Sequence, residues 1–293
     1  MPWLQVELRV SEAQVEAAET ALGTAGALAV TLRDAGDRPV LEPGPGETPL
    51  WPDVIVTGLF PGHHDPTKLK RAVHAGWILP VLPEIHAEWL EDRPWEREWE
   101  RSFRPMRFGR RLRVIPPGTP RGHGEDVDVL LSPGLAFGTG THPTTAICLE
   151  WLDALDLDGA VVVDYGCGSG ILAVAAARLG ARSVIATDND PQALLATRDN
   201  AAANQVADRI RAVPPSGLAG ISADVLVANI LANPLIELAP KLGNVTKSGG
   251  KLALSGILRA QVPAVAAAYA SAFALVAPAF KEDWARLEGT RCD

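Results

Sequence analysis

From Trp3 to Val10 the chain alternates apolar and polar residues, which predicts a strand with one face buried. Ser11 stands where it can cap a helix running to about Leu22, with Gly23 and Gly26 as terminators. ALAVTLRD and DVIVTGLF read as two further strands on either side of the proline- and glycine-rich loop PVLEPGPGETPLWP. Pro66–His74 reads as a second helix, and the alternating EIHAEWLE as a fourth strand. The order β-α-β-β-α-β predicts a small split-βαβ sandwich over residues 1–91, with one sheet face left for a partner. In DRPWEREWERSFRPMRFG, Trp95, Trp99 and Phe103 recur every four residues and share a helix face, so residues 92–109 are expected to form a helical linker closed by Pro105 and Gly109.

Beyond it the period changes. RLRVIPP and VDVLLSPG predict a strand pair leading into LAFGTGTHPTT, where Thr141 or Thr144 can cap a helix beginning near Thr145. Phe137, Gly138 and Gly140 in that loop suit a lid over a cofactor, and His142 suits a loop hydrogen bond better than a base. Then strands and helices alternate: VVVDY, ILAVAAARLG, SVIAT, Pro191–Asn204, DVLVA, NPLIELAPKLG, GGKLALSG and Val262–Tyr269. The closing FALVAPAFKEDWARLEGTR is expected to add two strands as an edge hairpin. Residues 110–293 therefore predict an α/β domain with a parallel, doubly wound sheet, whose ligands lie outside the carboxyl ends of the strands.

The chemistry concentrates at three of those ends. Glycines at 166, 168 and 170 let the turn after the VVVDY strand take φ > 0 and bring backbone close to a ligand. Asp188, about twenty residues on, is placed where a βαβ unit presents a carboxylate to a ribose diol. A dinucleotide would want G-x-G-x-x-G and no acid beside its phosphates. Here the spacing is G-x-G-x-G, and Asp164 sits at the strand end, which suits a cationic nucleoside such as S-adenosyl-L-methionine. At the third end, Asn229 and the carbonyls of NILANPL offer acceptors for an amine N–H, which suits methyl transfer to nitrogen.

Composition narrows this only a little. Hydrophobic residues make up 47% and charged residues 21%, ordinary for a globular chain. MPWLQVELRV has no basic segment followed by an apolar core, so no signal peptide is expected. VPAVAAAYASAFALVAPAF is alanine-rich and proline-interrupted, and predicts a buried helix and strand rather than a membrane span. Cys148, Cys167 and Cys292 form no C-x-x-C pair, which argues against a zinc site or disulfide framework and for a reducing, cytoplasmic setting. Cys167 is read as small-residue packing, and His63 and His64 as a solvated turn. The net charge of −8 falls heavily on residues 1–90, where 12 Asp/Glu face 6 Lys/Arg; an acidic domain attracts basic partners and repels nucleic acid, although solubility alone would explain it equally well.

LLSPGLAFGTGTHPTT, VVVDYGCGSGILAVAAARLGA, ATDNDPQAL and VANILANPL, in this order, resemble the ribosomal protein L-eleven methyltransferase (PrmA) family. The resemblance implies a Rossmann-like class I methyltransferase domain behind an N-terminal ferredoxin-like α+β domain that recognises a basic ribosomal protein. It implies S-adenosyl-L-methionine as cofactor and methylation of lysine ε-amino and N-terminal α-amino groups, by a monomer with no nucleic-acid or membrane partner and no metal. Carried over by position, Thr145, Gly166, Asp188 and Asn229 are similar to the family's cofactor contacts. Asp164, Gly168, Phe137 and Thr141 are expected beside them, and Asn229 and Leu231 to border the target amine. Three rivals stand against this reading: a nucleic-acid base methyltransferase, a nicotinamide-dependent oxidoreductase, and a ribosome-assembly binder without catalysis.

Overall fold

The computed structural model describes residues 2–36, 49–90, 104–131 and 142–293. The chain divides into two compact units, Met1–Pro94 and Trp95–Asp293. The first holds β1 (Trp3–Ser11), α1 (Val15–Thr24), β2 (Ala29–Asp34), β3 (Asp53–Pro61), α2 (Pro66–Gly76) and β4 (Ile85–Leu90). Its strands pair antiparallel throughout in the order β2-β3-β1-β4. Leu4, Val6, Leu8 and Val10 alternate inward along β1 and pack with Val15, Ala18 and Leu22 of α1 and with Leu69 and Val73 of α2. Ser11 precedes a single 3-10 turn before α1, while α2 is capped by Asp65, whose carboxylate accepts from the Thr67 and Lys68 amides. Those two bonds hold the Asp65 carboxyl below its usual range.

The second unit starts further upstream than its pattern suggested. β5 (Met106–Phe108) pairs antiparallel with β6 (Leu112–Ile115), which pairs parallel with β7 (Val127–Leu130). Three residues are too few to show a period, so this strand was read as the end of a linker reaching residue 109. Yet Phe108 is buried in the core of the second unit. The turn after it is tied down by Asp153, which accepts from the Arg110 and Arg111 amides. Trp95, Trp99 and Phe103, and with them the expected linker helix, lie outside the described residues.

The main sheet of this unit comprises β8 (Val161–Tyr165), β9 (Ser183–Thr187), β10 (Ile210–Val213), β11 (Ala223–Asn229), β12 (Thr246–Leu258), β13 (Phe273–Leu275), β14 (Ala279–Lys281) and β15 (Trp284–Arg291). The order is β10-β9-β8-β11-β12-β15-β13, with β14 also on β15. The first five strands are parallel and the last three antiparallel to their neighbours, so the sheet is mixed rather than wholly parallel. The chain end is not an edge hairpin: β15 runs between β12 and β13, because Ala285 and Leu287 continue the apolar face of the sheet inward.

Helices cover both faces. α3 (Pro143–Ala154), α4 (Ile171–Arg178) and α5 (Pro191–Ala203) pack on one side, α6 (Ala232–Val245) and α7 (Val262–Tyr269) on the other. The alanine-rich C-terminal stretch becomes α7 and β13, and among the described residues no helix is long and apolar enough to cross a membrane. β10, passed over in the sequence pattern, is a four-residue edge strand in which only Ala212 is buried.

The split of cores gives a direct test of the smaller unit. Leu8→Ala, at a fully buried position on its central strand, is expected to cost about 2–5 kcal/mol, read by urea denaturation followed by circular dichroism; a change under 1 kcal/mol would contradict the packing given for β1.

Candidate functional site

The strand order reverses between β8 and β11, and the turns after these two strands lie side by side. Crevices at such a reversal are where α/β sheets bind ligands. Gly166, Gly168 and Gly170 all take positive φ, at 77°, 51° and 76°. The Gly166 and Cys167 amides donate to the Thr187 carbonyl at 2.8 and 3.1 Å, fastening the turn to the end of β9. Three positions around the site need glycine for space as well, Gly170 because a Cβ there would collide with the Thr197 side chain. A Cβ on Gly166 would collide with the Ile230 side chain, and one on Gly256 (φ 83°) with the Ile230 backbone. Ile230, whose amide donates to the Ser255 carbonyl at 3.1 Å, is thus held between the glycine turn and β12.

Asp188 is placed as its spacing suggested. One carboxylate oxygen accepts from the Gly168 amide and the other from the Asp190 amide, both at 3.0 Å. Each oxygen keeps a second lone pair for a ligand hydroxyl. Asp164 departs from expectation: it is fully buried, and its Oδ2 accepts from the Ala173 amide at 2.9 Å. Gly170 at the N-cap of α4 has no side chain to offer, so Asp164 caps that helix from the neighbouring strand. Its Oδ1, and the Oγ1 of buried Thr187, have no hydrogen-bond partner among the described residues. Burial first, then the Asp188 charge, push the Asp164 carboxyl up to about 7 against the pull of the Ala173 amide.

The third strand end joins the fourth segment. The Asn229 side chain donates from Nδ2 to Thr145 Oγ1 at 3.3 Å, bringing together two expected site residues 84 positions apart. Thr145 is buried in the first turn of α3. That helix is capped by His142, whose ring nitrogen accepts from the Thr144 amide; Thr144 is not the cap, because Pro143 already occupies the first helical position. Desolvation lowers the His142 pKa, with Glu282 opposing it. Leu231, at the N-cap of α6, is 52% exposed. Phe137 and Thr141 lie outside the described residues. Cys167 packs in the core, its thiol pushed up to about 12 by burial.

The sequence reading missed the supports. On α5, Thr197 donates to the Gly168 carbonyl at 3.2 Å and Asn200 to the Ser169 carbonyl at 2.8 Å. Asn204 exchanges two hydrogen bonds of 2.7 Å with the Leu130 backbone and donates a third to the Asn200 carbonyl. Positions 197, 200 and 204 recur at helical spacing, but polar residues in that pattern look like a solvated face. Only the fold turns them inward to brace the glycine turn against β7.

Because the raised Asp164 pKa stabilises the protonated form in the folded chain, its contribution is present at low pH and lost as pH rises through about 7. Asp164→Asn keeps an acceptor for Ala173 and removes that loss. Thermal unfolding of the ligand-free variant is therefore expected to gain on the original chain as pH goes from 6 to 8; parallel curves would refute the assignment. Gly166→Ala combines left-handed backbone with the Ile230 collision and is expected to destabilise by at least ~1–2 kcal/mol, measured by chemical denaturation.

A family model described as ribosomal protein L11 methyltransferase (PrmA) matches residues 2–292. Proteins named ribosomal protein L11 methyltransferase from Nitrosococcus oceani and Pseudomonas fluorescens are 50% and 51% identical over 291 and 292 residues, 99% of this chain and 100% of each relative. The solved structure of a ribosomal protein L11 methylase from Lactobacillus delbrueckii subsp. bulgaricus is 33% identical, with a TM-score of 0.60, across 65% of this chain and 100% of that one. With the family model spanning essentially every residue, from the split-βαβ unit to β15, the chain belongs to the ribosomal protein L11 methyltransferase (PrmA) family.

Proposed function

We propose that this protein transfers methyl groups from S-adenosyl-L-methionine to amino groups of ribosomal protein L11, lysine ε-amino and N-terminal α-amino groups alike. The observation that carries the reading is the pairing of two acid-bearing strand ends with an amide-bearing one at a single reversal of strand order. The residues fit such a cofactor. Asp188 keeps lone pairs for a ribose diol, and the turn beside it stays half-buried at Gly166 and Gly168. The unpartnered oxygen of Asp164, raised in pKa by burial and by Asp188, is relieved by a nearby cation. When bound, the cofactor supplies an electrophilic methyl group on a sulfonium.

The protein's share is to bind, orient and desolvate. Thr145 takes the Asn229 Nδ2 hydrogen bond, which leaves the Asn229 Oδ1 to accept an N–H from the target amine. That contact turns the nitrogen lone pair toward the methyl group, and orientation of this kind is worth up to ~7–11 kcal/mol in an in-line displacement. The amine must be neutral to react; a lysine near its ordinary pKa of about 10.4 is almost wholly protonated at pH 7. Exposed Leu231 at the mouth provides an apolar border that disfavours the ammonium form. Gly168 and Gly166 are proposed for the cofactor set, together with Phe137 and Thr141, which lie outside the described residues.

For the first unit we propose the ferredoxin-like fold and the recognition role; its β-α-β-β-α-β order, antiparallel sheet and excess of acidic residues support both. A methyl-transfer assay with purified ribosomal protein L11, read by mass spectrometry, is expected to show methylated lysines and N-terminus. Label on RNA, or none, would overturn the proposal. In calorimetry, Asp188→Ala is expected to weaken cofactor binding about tenfold, the loss of a charge-assisted hydrogen bond of roughly 1.5–3 kcal/mol; unchanged affinity would remove the ribose role.

A further inference from the structure

The opposite edge of the main sheet carries a second concavity. A hollow of about 610 Å3 is bounded by Val161, the Arg182–Ser183 pair, Asp208–Arg211 and Gly220–Ser222, which lie at the amino ends of β8, β9 and β10 and just ahead of β11. It exists because the crossover from β10 to β11 contains only a 3-10 turn, Pro215–Leu218, where the other parallel crossovers of this sheet contain α-helices. That short connection leaves Val161 and Ile221 half-buried beside buried Ile185 as an apolar floor, while Ile210 packs against the core on the other face.

Arg182, Arg209 and Arg211 stand around this floor, and all three are exposed. None makes an ion pair among the described residues. Arg209 and Arg211 each reach only a backbone carbonyl, at 3.4 Å, and Arg182 acts at longer range on Asp224, which is already paired with Lys247. Elsewhere in this unit Arg107 and Arg113 pair with Asp126, Arg111 with Asp153 and Arg286 with Glu288, while Arg178, Arg198 and Arg291 reach backbone carbonyls at separate places. In a chain of net charge −8, three arginines without ion pairs around one hollow form a local positive site, opposed by Asp208 and by Asp224, which accepts from the Val161 amide and is itself paired with Lys247.

We propose that this hollow binds a nucleotide phosphate. Guanidinium forks match phosphate oxygens bidentately and remain charged at every physiological pH. Three of them exceed what a single carboxylate needs, and an apolar floor beside them receives the face of a base. The volume suits one nucleotide. The same chemistry is presented by a residue of an RNA strand and by a free mononucleotide. The overall acidity that disfavours nucleic acid is an average over the chain, whereas phosphate contacts act within about one Debye length. The site is separate from the glycine turn, so binding is measured without methyl transfer.

The test uses the full chain with a fluorescent single-stranded RNA decamer, followed by anisotropy across salt, and with adenosine monophosphate, followed by calorimetry. The Arg182→Ala/Arg211→Ala variant is expected to weaken binding about tenfold and to lower the slope of log K against log salt by about 0.7 per arginine removed, with an unchanged thermal midpoint. Should that midpoint fall, the variant with lysine at both positions, which keeps the charge and loses the fork, is expected to recover binding only in part. Loss confined to the decamer assigns the site to an RNA strand, and loss for the mononucleotide to a free nucleotide. The proposal is overturned by no binding of either probe, by equal weakening in Arg71→Ala on the first unit, or by polyglutamate competing as well as RNA.

Discussion

Ile230 is the point on which the arrangement of the site turns. Its side chain rests where a Cβ on Gly166 would be, its backbone where a Cβ on Gly256 would be, and its amide is bonded to Ser255. Two loops from opposite sides of the strand reversal can approach this closely only if both facing residues are glycine. The consequence is positional: the residue before Ile230 is Asn229, which is thereby fixed against Thr145 on one side and beside the glycine turn on the other. The two turns are thereby held side by side.

A second constraint is electrostatic. Asp164 is buried with one backbone amide for company, within the field of Asp188, and its carboxyl is held near 7. A fully buried carboxylate with an unpartnered oxygen is costly in a resting protein. The cost is tolerable because the same oxygen that lacks a partner favours a cation, and because Asp164 also performs a local task, capping a helix whose own N-cap is glycine. On the proposed reading, capping and charge selection fall to one side chain. The polar face of α5 then prevents the glycine turn from relaxing, through Thr197 and Asn200, and reaches β7 through Asn204.

The two sheet edges that carry the proposed sites are open for different physical reasons. At the carboxyl edge, strand reversal opens a crevice and the tight turns supply backbone donors and carboxylates. At the amino edge, a crossover too short to hold a helix leaves apolar residues half covered and arginines without partners. The long antiparallel addition of β15, β13 and β14 closes the other side of the sheet over α3, with Arg286 donating to the Ile147 carbonyl of that helix and so supporting the segment that carries Thr145.

Local chemistry was enough to determine the strand-turn-helix at Val161–Ile171, the position of Asp188 beside the glycine turn, the alternation that builds the parallel strands, and the order of strands and helices in the first unit, though not its helix caps. These features depend on period, on glycine's backbone freedom and on short-range spacing, all of which are written in neighbouring residues. The tertiary structure alone decided the features that depend on residues far apart. β5 and β10 are too short to show a period and exist because a partner strand is present. β15 became an inner strand because its apolar face found β12. Asp164 became a buried cap rather than an open acid because α4 is laid across it. Asn204 reads as a solvated residue until α5 is packed against β7, and Gly256 has no visible purpose until Ile230 arrives from 26 positions away. Side-chain period specifies an element, but which polar group is buried, and against what, is settled only when the elements meet.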